Sequence, residues 1–229
     1  MLPGATRRSR GRRSAATIGR VNTQAHEAQW IEALAARGAP RRFRARQLLI
    51  QEGETGDTLY VIRSGRLRVF CSNAQGREVT LGIYGPGDYV GEMALDGGPR
   101  SANVEAMEAS VCCVVTRQAL LDYIATQPEF ALVMMSRLIR RARLATESAR
   151  SLALIDVYGR LTALLNGLAQ VQPDGTRRID ERLTHQEIAS RIACSREMVS
   201  RLMKGLEVGG YVQMREKRVV LAKKLPHRW

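Results

Sequence analysis

Gly91-Glu92-Met93-Ala94-Leu95-Asp96-Gly97-Gly98-Pro99-Arg100-Ser101-Ala102-Asn103-Val104 sets a glycine and a carboxylate at one end of a short loop and an arginine and a hydroxyl at the other. Glycine lets the backbone approach a ligand closely. Arg100 offers a planar fork of donors suited to phosphate oxygens, and Ser101 adds a hydroxyl and a backbone N–H. Glu92 would repel a phosphate but can accept hydrogen bonds from a sugar hydroxyl. Together these groups can hold a phosphorylated ribose. A surface β-turn with a solvated arginine is the alternative on the loop alone, so its surroundings decide.

Those surroundings read as β structure. Between Arg41 and Thr116, short apolar or alternating runs stand at Gln47–Gln51, Thr58–Arg63, Arg66–Cys71, Glu78–Tyr84, Tyr89–Val90, Asn103–Ala106 and Ser110–Thr116. Glycine turns separate them, among them 52–57, Ser64-Gly65, 73–76 and 85–88. Many short strands with such turns predict a sandwich, jelly roll or small barrel. Cys112 and Cys113 then point to opposite faces of one strand, as core filler rather than a redox pair. A short helix is predicted from Gln24 to Arg37, ended by Gly38-Ala39-Pro40.

Beyond the β region, Pro128 fits a first helical turn, and Glu129 to about Ile155 lacks Gly and Pro. Met135, Leu138, Ala142, Ala145, Ala149 and Leu152 recur at spacings of three and four, a heptad seam. Arg137, Arg140, Arg141, Arg143, Glu147 and Arg150 lie on the opposite faces. So long an alanine-rich seam suits two identical helices in close approach, and predicts a parallel homodimer. Asp156 caps a helix over Val157–Ala169, broken at Pro173-Asp174-Gly175. Thr184 opens the next in a capping box with Glu187, running to about Ile192. Ala193-Cys194 turns, Ser195 caps Arg196–Val208, and Tyr211–Met214 with Arg218–Ala222 form a hairpin.

Two short helices, a tight turn and a hairpin make a winged helix-turn-helix. Val199, Leu202, Met203 and Leu206 form the buried stripe of its second helix. Arg196, Glu197, Ser200, Arg201 and Lys204 form the other face, where residues near the helix start reach base edges in the major groove. Arginine pairs with guanine and glutamate accepts from cytosine, so Glu197 tolerates this face best as a base reader. An ordinary amphipathic helix with a solvated face is the alternative.

Charge supports a nucleic-acid partner. The 229-residue chain carries a formal net charge of +14. Residues 1–20 hold six arginines and no acid, whereas residues 21–130 are nearly balanced and residues 131–229 strongly basic. Phosphate neutralisation by such a basic half supplies non-specific affinity. The first 22 residues read as a disordered basic arm. No apolar run approaches the roughly 18 residues of a membrane span, and no signal core is evident, so a soluble, cytoplasmic protein is expected. Four cysteines without C-x-x-C spacing argue against a zinc or iron–sulfur site.

The chain resembles the cyclic-AMP receptor protein/fumarate-nitrate regulator family of bacterial transcription factors over roughly residues 40–222. Gly91-Glu92-x-Ala-Leu through Pro99-Arg100-Ser101-Ala102-x-Val104 is similar to its cyclic-nucleotide phosphate-binding cassette. Thr184-x-Gln186-Glu187-Ile188 through Ser195-Arg196-Glu197-x-Val199-x-Arg201 is similar to its helix-turn-helix. The resemblance implies an α+β architecture: a β jelly-roll cyclic-nucleotide domain (23–126), a dimerisation helix (127–155) and a winged helix-turn-helix (156–229). It implies a cyclic nucleotide, cAMP first, as allosteric ligand, with Gly91, Glu92, Met93, Arg100, Ser101 and Ala102 as contacts. Glu92 would take the ribose 2′-hydroxyl, and Arg100 and Ser101 the phosphate. It implies double-stranded DNA as partner, with Thr184, Gln186, Ser195, Arg196, Glu197, Ser200, Arg201 and Lys204 as contacts and a half-site resembling TGTGA or TTGA. Ser200 matches the fumarate-nitrate branch.

RNA polymerase is the implied protein partner, through the loop around Pro173-Asp174-Gly175. The family's adenine-reading Thr-Ser pair is Ala145-Thr146 here, so Thr146 alone keeps a hydroxyl, and cyclic GMP, cyclic di-GMP or no ligand remain alternatives. The oxygen-sensing branch's cysteine cluster is missing, and His26, His185 and His227 are too dispersed for haem. No nucleophile elbow, P-loop or metal cluster supports an enzyme, the remote alternative.

Overall fold

The structure, a computed structural model, describes residues 27–173 and 175–226; the basic arm, His26, His227 and Asp174 fall outside them. Helix α1 (residues 27–35) is followed by eight strands: β1 (Ala39–Phe43), β2 (Leu48–Ile50), β3 (Thr58–Ser64), β4 (Leu67–Ser72), β5 (Glu78–Tyr84), β6 (Tyr89–Val90), β7 (Asn103–Ala106) and β8 (Ser110–Thr116). They form two antiparallel sheets, β1-β8-β3-β6 and β2-β7-β4-β5. The expected jelly-roll sandwich is present. Phe43, Ile50, Tyr60, Ile62, Leu67, Val90, Val104 and Cys112 fill its interior.

Alternation along the shared sheet explains how the helices attach. On β3, Tyr60 and Ile62 face the sandwich interior, while Leu59 and Val61 face outward to the helices. Cys112 and Cys113 divide between the same two layers, as expected for neighbours in a strand. The outer layer receives Ile31 and Leu34 of α1, Leu120 and Tyr123 of α2 (Arg117–Thr126), and Phe130, Val133 and Met134 of α3 (Glu129–Leu154). Strand β1 lies outside the runs that read as strands, because Pro40 and two arginines conceal it. It is an edge strand paired only with β8, where a missing N–H is tolerated.

Past its first turns α3 leaves the sheet. Ala142, Ala145 and Ala149 are exposed, and Met135, Leu138 and Leu152 are 53%, 40% and 47% exposed, so the predicted seam has no cover among the described residues. The arginines opposite are less uniform than the heptad reading implies. Arg137 and Arg141 are not solvated but fold back onto the β domain, Arg137 donating to the Gly87 carbonyl at 2.8 Å.

The C-terminal unit has its own core, built from Tyr158, Leu161, Leu165, Ile188, Val199, Met203, Leu206, Val212 and Val219. Asp156 caps α4 (Val157–Leu168) by accepting from the Gly159 N–H at 2.7 Å. The capping box at Thr184 is formed and opens α5 (His185–Arg191); Ser195 caps α6 (Arg196–Val208). Ala193 takes a positive φ of 51° in the turn between them. Short strands β9 (Gln170–Val171) and β10 (Arg177–Arg178) join β11 (Val212–Arg215) and β12 (Arg218–Leu221) in a four-stranded sheet, extending the predicted hairpin. The two units touch where β5 meets α5. Thr80 and Ser190 hydroxyls lie 3.1 Å apart, and Glu181 stands between Arg66 at 3.6 Å and a two-pronged Arg191.

Candidate functional site

Gly91 has φ 93° and starts the one-turn 3₁₀ helix Glu92–Asp96. A side chain there would be strained and would also collide, since a Cβ would stand 2.8 Å from the Thr58 carbonyl and 2.9 Å from Arg100 Nη1. Thus Gly91 makes room for an arginine as well as for a ligand. Arg100 is only 7% exposed. Its Nη1 donates to the carbonyls of Thr58 and Gly91, each at 2.9 Å, and its Nη2 donates to Thr58 Oγ1 at 3.0 Å. Its backbone is clipped to the 51–57 loop on both sides: Gly53 N–H donates to Arg100 O and Arg100 N–H to Glu54 O, each 2.8 Å.

A guanidinium has five N–H groups, and three are engaged. The Nε–H and the second Nη2–H have no partner among the described residues. They share one edge of the plane, the edge that takes two phosphate oxygens in a fork. Gly56 faces that edge: a Cβ there would lie 2.9 Å from Nη2 and 3.1 Å from Nε. The absence of a side chain at Gly56 therefore keeps that edge of the guanidinium open. Nothing in the turn-like run Glu54-Thr55-Gly56-Asp57 signals this role in the sequence.

Glu92 sits nearby, its side chain 10% exposed, and accepts from Arg141 Nη1 at 2.6 Å. Arg141 also donates to the Tyr89 carbonyl at 2.6 Å and lies over the rings of Tyr84 and Tyr89, 4.3 and 4.9 Å from their centroids. Burial pushes the Tyr89 hydroxyl up to about 12, so the ring stays neutral under Arg141. Arg141 is the residue that periodicity alone hides: a long-helix cation holding the Glu92 carboxylate. Ser101 is exposed, with its hydroxyl 3.2 Å from Met93 Sδ, and Met93 itself is 62% exposed. Ala102 is buried, backbone and methyl alike.

Thr146 is not brought to this cradle. It is exposed and donates to the Ala142 carbonyl at 3.0 Å. Ala145, four residues after Arg141, shares the face of α3 that carries Arg141, and Thr146 is turned about 100° from it.

In the C-terminal unit Val199, Met203 and Leu206 are buried, while Gln186, Arg196, Glu197, Arg201 and Lys204 are exposed. A cationic face results, with Glu197 at its start. Its own backbone N–H and then the Ser195 hydroxyl hold the Glu197 carboxyl below the usual range, so it stays ionised. The hydroxyls of Thr184 and Ser195 are both engaged in caps, accepting from Glu187 and Met198 N–H at 3.2 Å. Ser200, half-buried, meets His185 Nδ1 at 2.8 Å. Among the described residues no helix is long and apolar enough to cross a membrane, and no His/Cys/Asp/Glu group suits a metal ion.

Comparison with known proteins agrees with both halves. Residues 40–127 match the cyclic nucleotide-binding domain family, and residues 159–225 match the Crp-like helix-turn-helix domain family. The cAMP-activated global transcriptional regulator CRP of Salmonella typhimurium is 32% identical over 185 residues, 79% of this chain and 88% of its own. A CRP-like cAMP-activated global transcriptional regulator of Mycobacterium tuberculosis is 32% identical over 203 residues, covering 87% and 91%. The solved structure of the c-di-GMP responsive global regulator CLP of Xanthomonas campestris superposes with a TM-score of 0.76 at 28% identity, covering 86% of this chain and 99% of that one. By its two matched domains and by relatives at this identity over most of its length, the chain belongs to the CRP/FNR family of transcription regulators.

Proposed function

We propose that this chain is a homodimeric regulator gated by a cyclic nucleotide, cAMP in the first place, and bound to a palindromic site of TGTGA-like halves. The observation that carries the reading is the open Nε/Nη2 edge of Arg100, held by Thr58 and Gly91, with the Glu92 carboxylate next in the chain to Gly91. One can take a cyclic phosphate and the other a ribose hydroxyl. In this reading residues 23–126 bind the ligand, 127–155 pair two chains along the uncovered seam, and 156–229 read DNA. Two α6 helices then enter successive major grooves about 34 Å apart. The nucleotide must favour the DNA-competent arrangement over the other, since equal affinity would shift nothing. Contact with RNA polymerase through the 172–176 loop belongs to the same proposal.

A second reading keeps the architecture and changes the ligand. Ala145, on the Arg141 face, cannot hydrogen-bond a base, and a regulator of similar structure responds to cyclic di-GMP. Calorimetry against cAMP, cGMP and cyclic di-GMP, with DNA affinity measured at saturation of each, tests both. Tightened DNA binding with cAMP supports the first reading; unchanged DNA affinity at saturating cAMP refutes it.

A further inference from the structure

On this chain's helices, several hydroxyl side chains, buried or exposed, bond back to a carbonyl of the preceding turn. Thr126, Thr146, Thr162 and Ser190 all do so, at 3.0–3.2, 3.0, 2.9 and 3.0 Å. Ser200 does not. Its hydroxyl turns from the Arg196 carbonyl to the first residue of the other helix, His185, and the Oγ–Nδ1 distance of 2.8 Å is that of a strong hydrogen bond. Both residues are half-buried, between the exposed Gln186 on α5 and the exposed Arg196, Arg201 and Lys204 on α6. Ser200 stands one residue before Arg201 on the face assigned above to base edges.

We infer that His185 is a specificity-determining positioning residue that acts through Ser200. A serine hydroxyl has three staggered positions, and in a helix the back-bonded one competes with any that points outward. The imidazole supplies a rival partner anchored on a separate helix by the Thr184 capping box. Whichever of the two atoms gives the proton, Oγ is aimed in one direction, and its remaining hydrogen-bonding capacity is presented there. Without the ring, the hydroxyl returns to the Arg196 carbonyl and loses that aim. His185 thus shapes which base pair is read without having to touch it. The inference rests on α6 being the base-reading helix.

The test selects full-length protein on a randomised palindromic half-site, with or without millimolar cAMP, whichever gives the tighter wild-type complex. Ser200→Ala should flatten the preference at one base pair, on the order of tenfold. His185→Ala should flatten the same pair by the same factor, and the double variant should add nothing further. His185→Asn, which places an amide atom near the position of Nδ1, should restore most of it. Unaltered melting temperatures show that the variants remain folded. If His185→Ala weakens all sequences equally, or adds to Ser200→Ala, the ring acts on its own and the inference is overturned while the reading of Ser200 stands. If Ser200→Ala alters no base preference, the base-reading role of Ser200 fails and takes the inference with it.

Discussion

Gly56→Ala isolates the anion-binding edge of Arg100. The added methyl would stand 2.9 Å from Nη2 and 3.1 Å from Nε, the two donors left for a phosphate. It cannot accept a hydrogen bond, and the guanidinium cannot move aside without giving up its bonds to Thr58 and Gly91. A charge-assisted hydrogen bond contributes about 1.5–3 kcal/mol, so losing the fork should cost about 3 kcal/mol. That is about a hundredfold in affinity. The backbone at Gly56 lies outside the left-handed region, so alanine is conformationally acceptable and restricts the unfolded chain by about 0.4–1 kcal/mol. That gain is set against the close approach of the methyl to the guanidinium, so melting temperature should shift by a few degrees at most. Titration calorimetry with cAMP, beside a thermal melt, reads both quantities. A dissociation constant within about threefold of wild type would refute the reasoning, because a phosphate would then not use that edge.

Glu92→Gln should weaken cAMP by about tenfold, as expected for a charged hydrogen bond, yet leave 2′-deoxy-cAMP nearly unchanged; equal losses for both in competition binding would remove the ribose assignment. Hydrogen bonding from Arg191 holds the Glu181 carboxyl below its ordinary 4.5. Its stabilisation is therefore complete above pH 4.5 and fades as pH falls through the lower folded value, so Glu181→Gln should flatten the loss of melting temperature with acid in that window. A wild-type slope in the variant would contradict this. Leu138→Arg places a charge in the uncovered seam, and light scattering should then report one chain of 25.4 kDa where the parent reports two; equal masses would move the dimer contact elsewhere.

Much of this architecture can be read from short-range chemistry. The glycine-punctuated strands and the side-chain caps at Asp156, Thr184 and Ser195 are local signals, and each marks an element that forms. Strand β1 escapes because Pro40 and its arginines are acceptable only at a sheet edge, and edges are a property of the whole sheet. Arg141 escapes for a related reason. Helical periodicity assigns it to a polar face, but Tyr84, Tyr89 and Glu92, about fifty residues earlier, make that face a contact. Gly56 reads as one more turn glycine until Arg100 is seen opposite it. Thr184 and Ser195 show the reverse case: a residue type correctly noticed, whose hydroxyl is already engaged by the helix it starts.

The two halves of the cradle differ in how much they can report. Arg100 is held by three protein bonds, so on the proposed reading that half is a receptor fixed in advance, and occupancy should leave little trace on it. Glu92 has a tenant, Arg141, which a ribose hydroxyl must share or evict. Because Arg141 belongs to the 26-residue helix α3, a change in that tenancy would, on the same reading, be felt along a rod that leaves the β domain. Affinity and signal would thus reside on different residues of one cradle. Each could be tuned alone, allowing a tight binder that transmits nothing or a weak one that transmits fully.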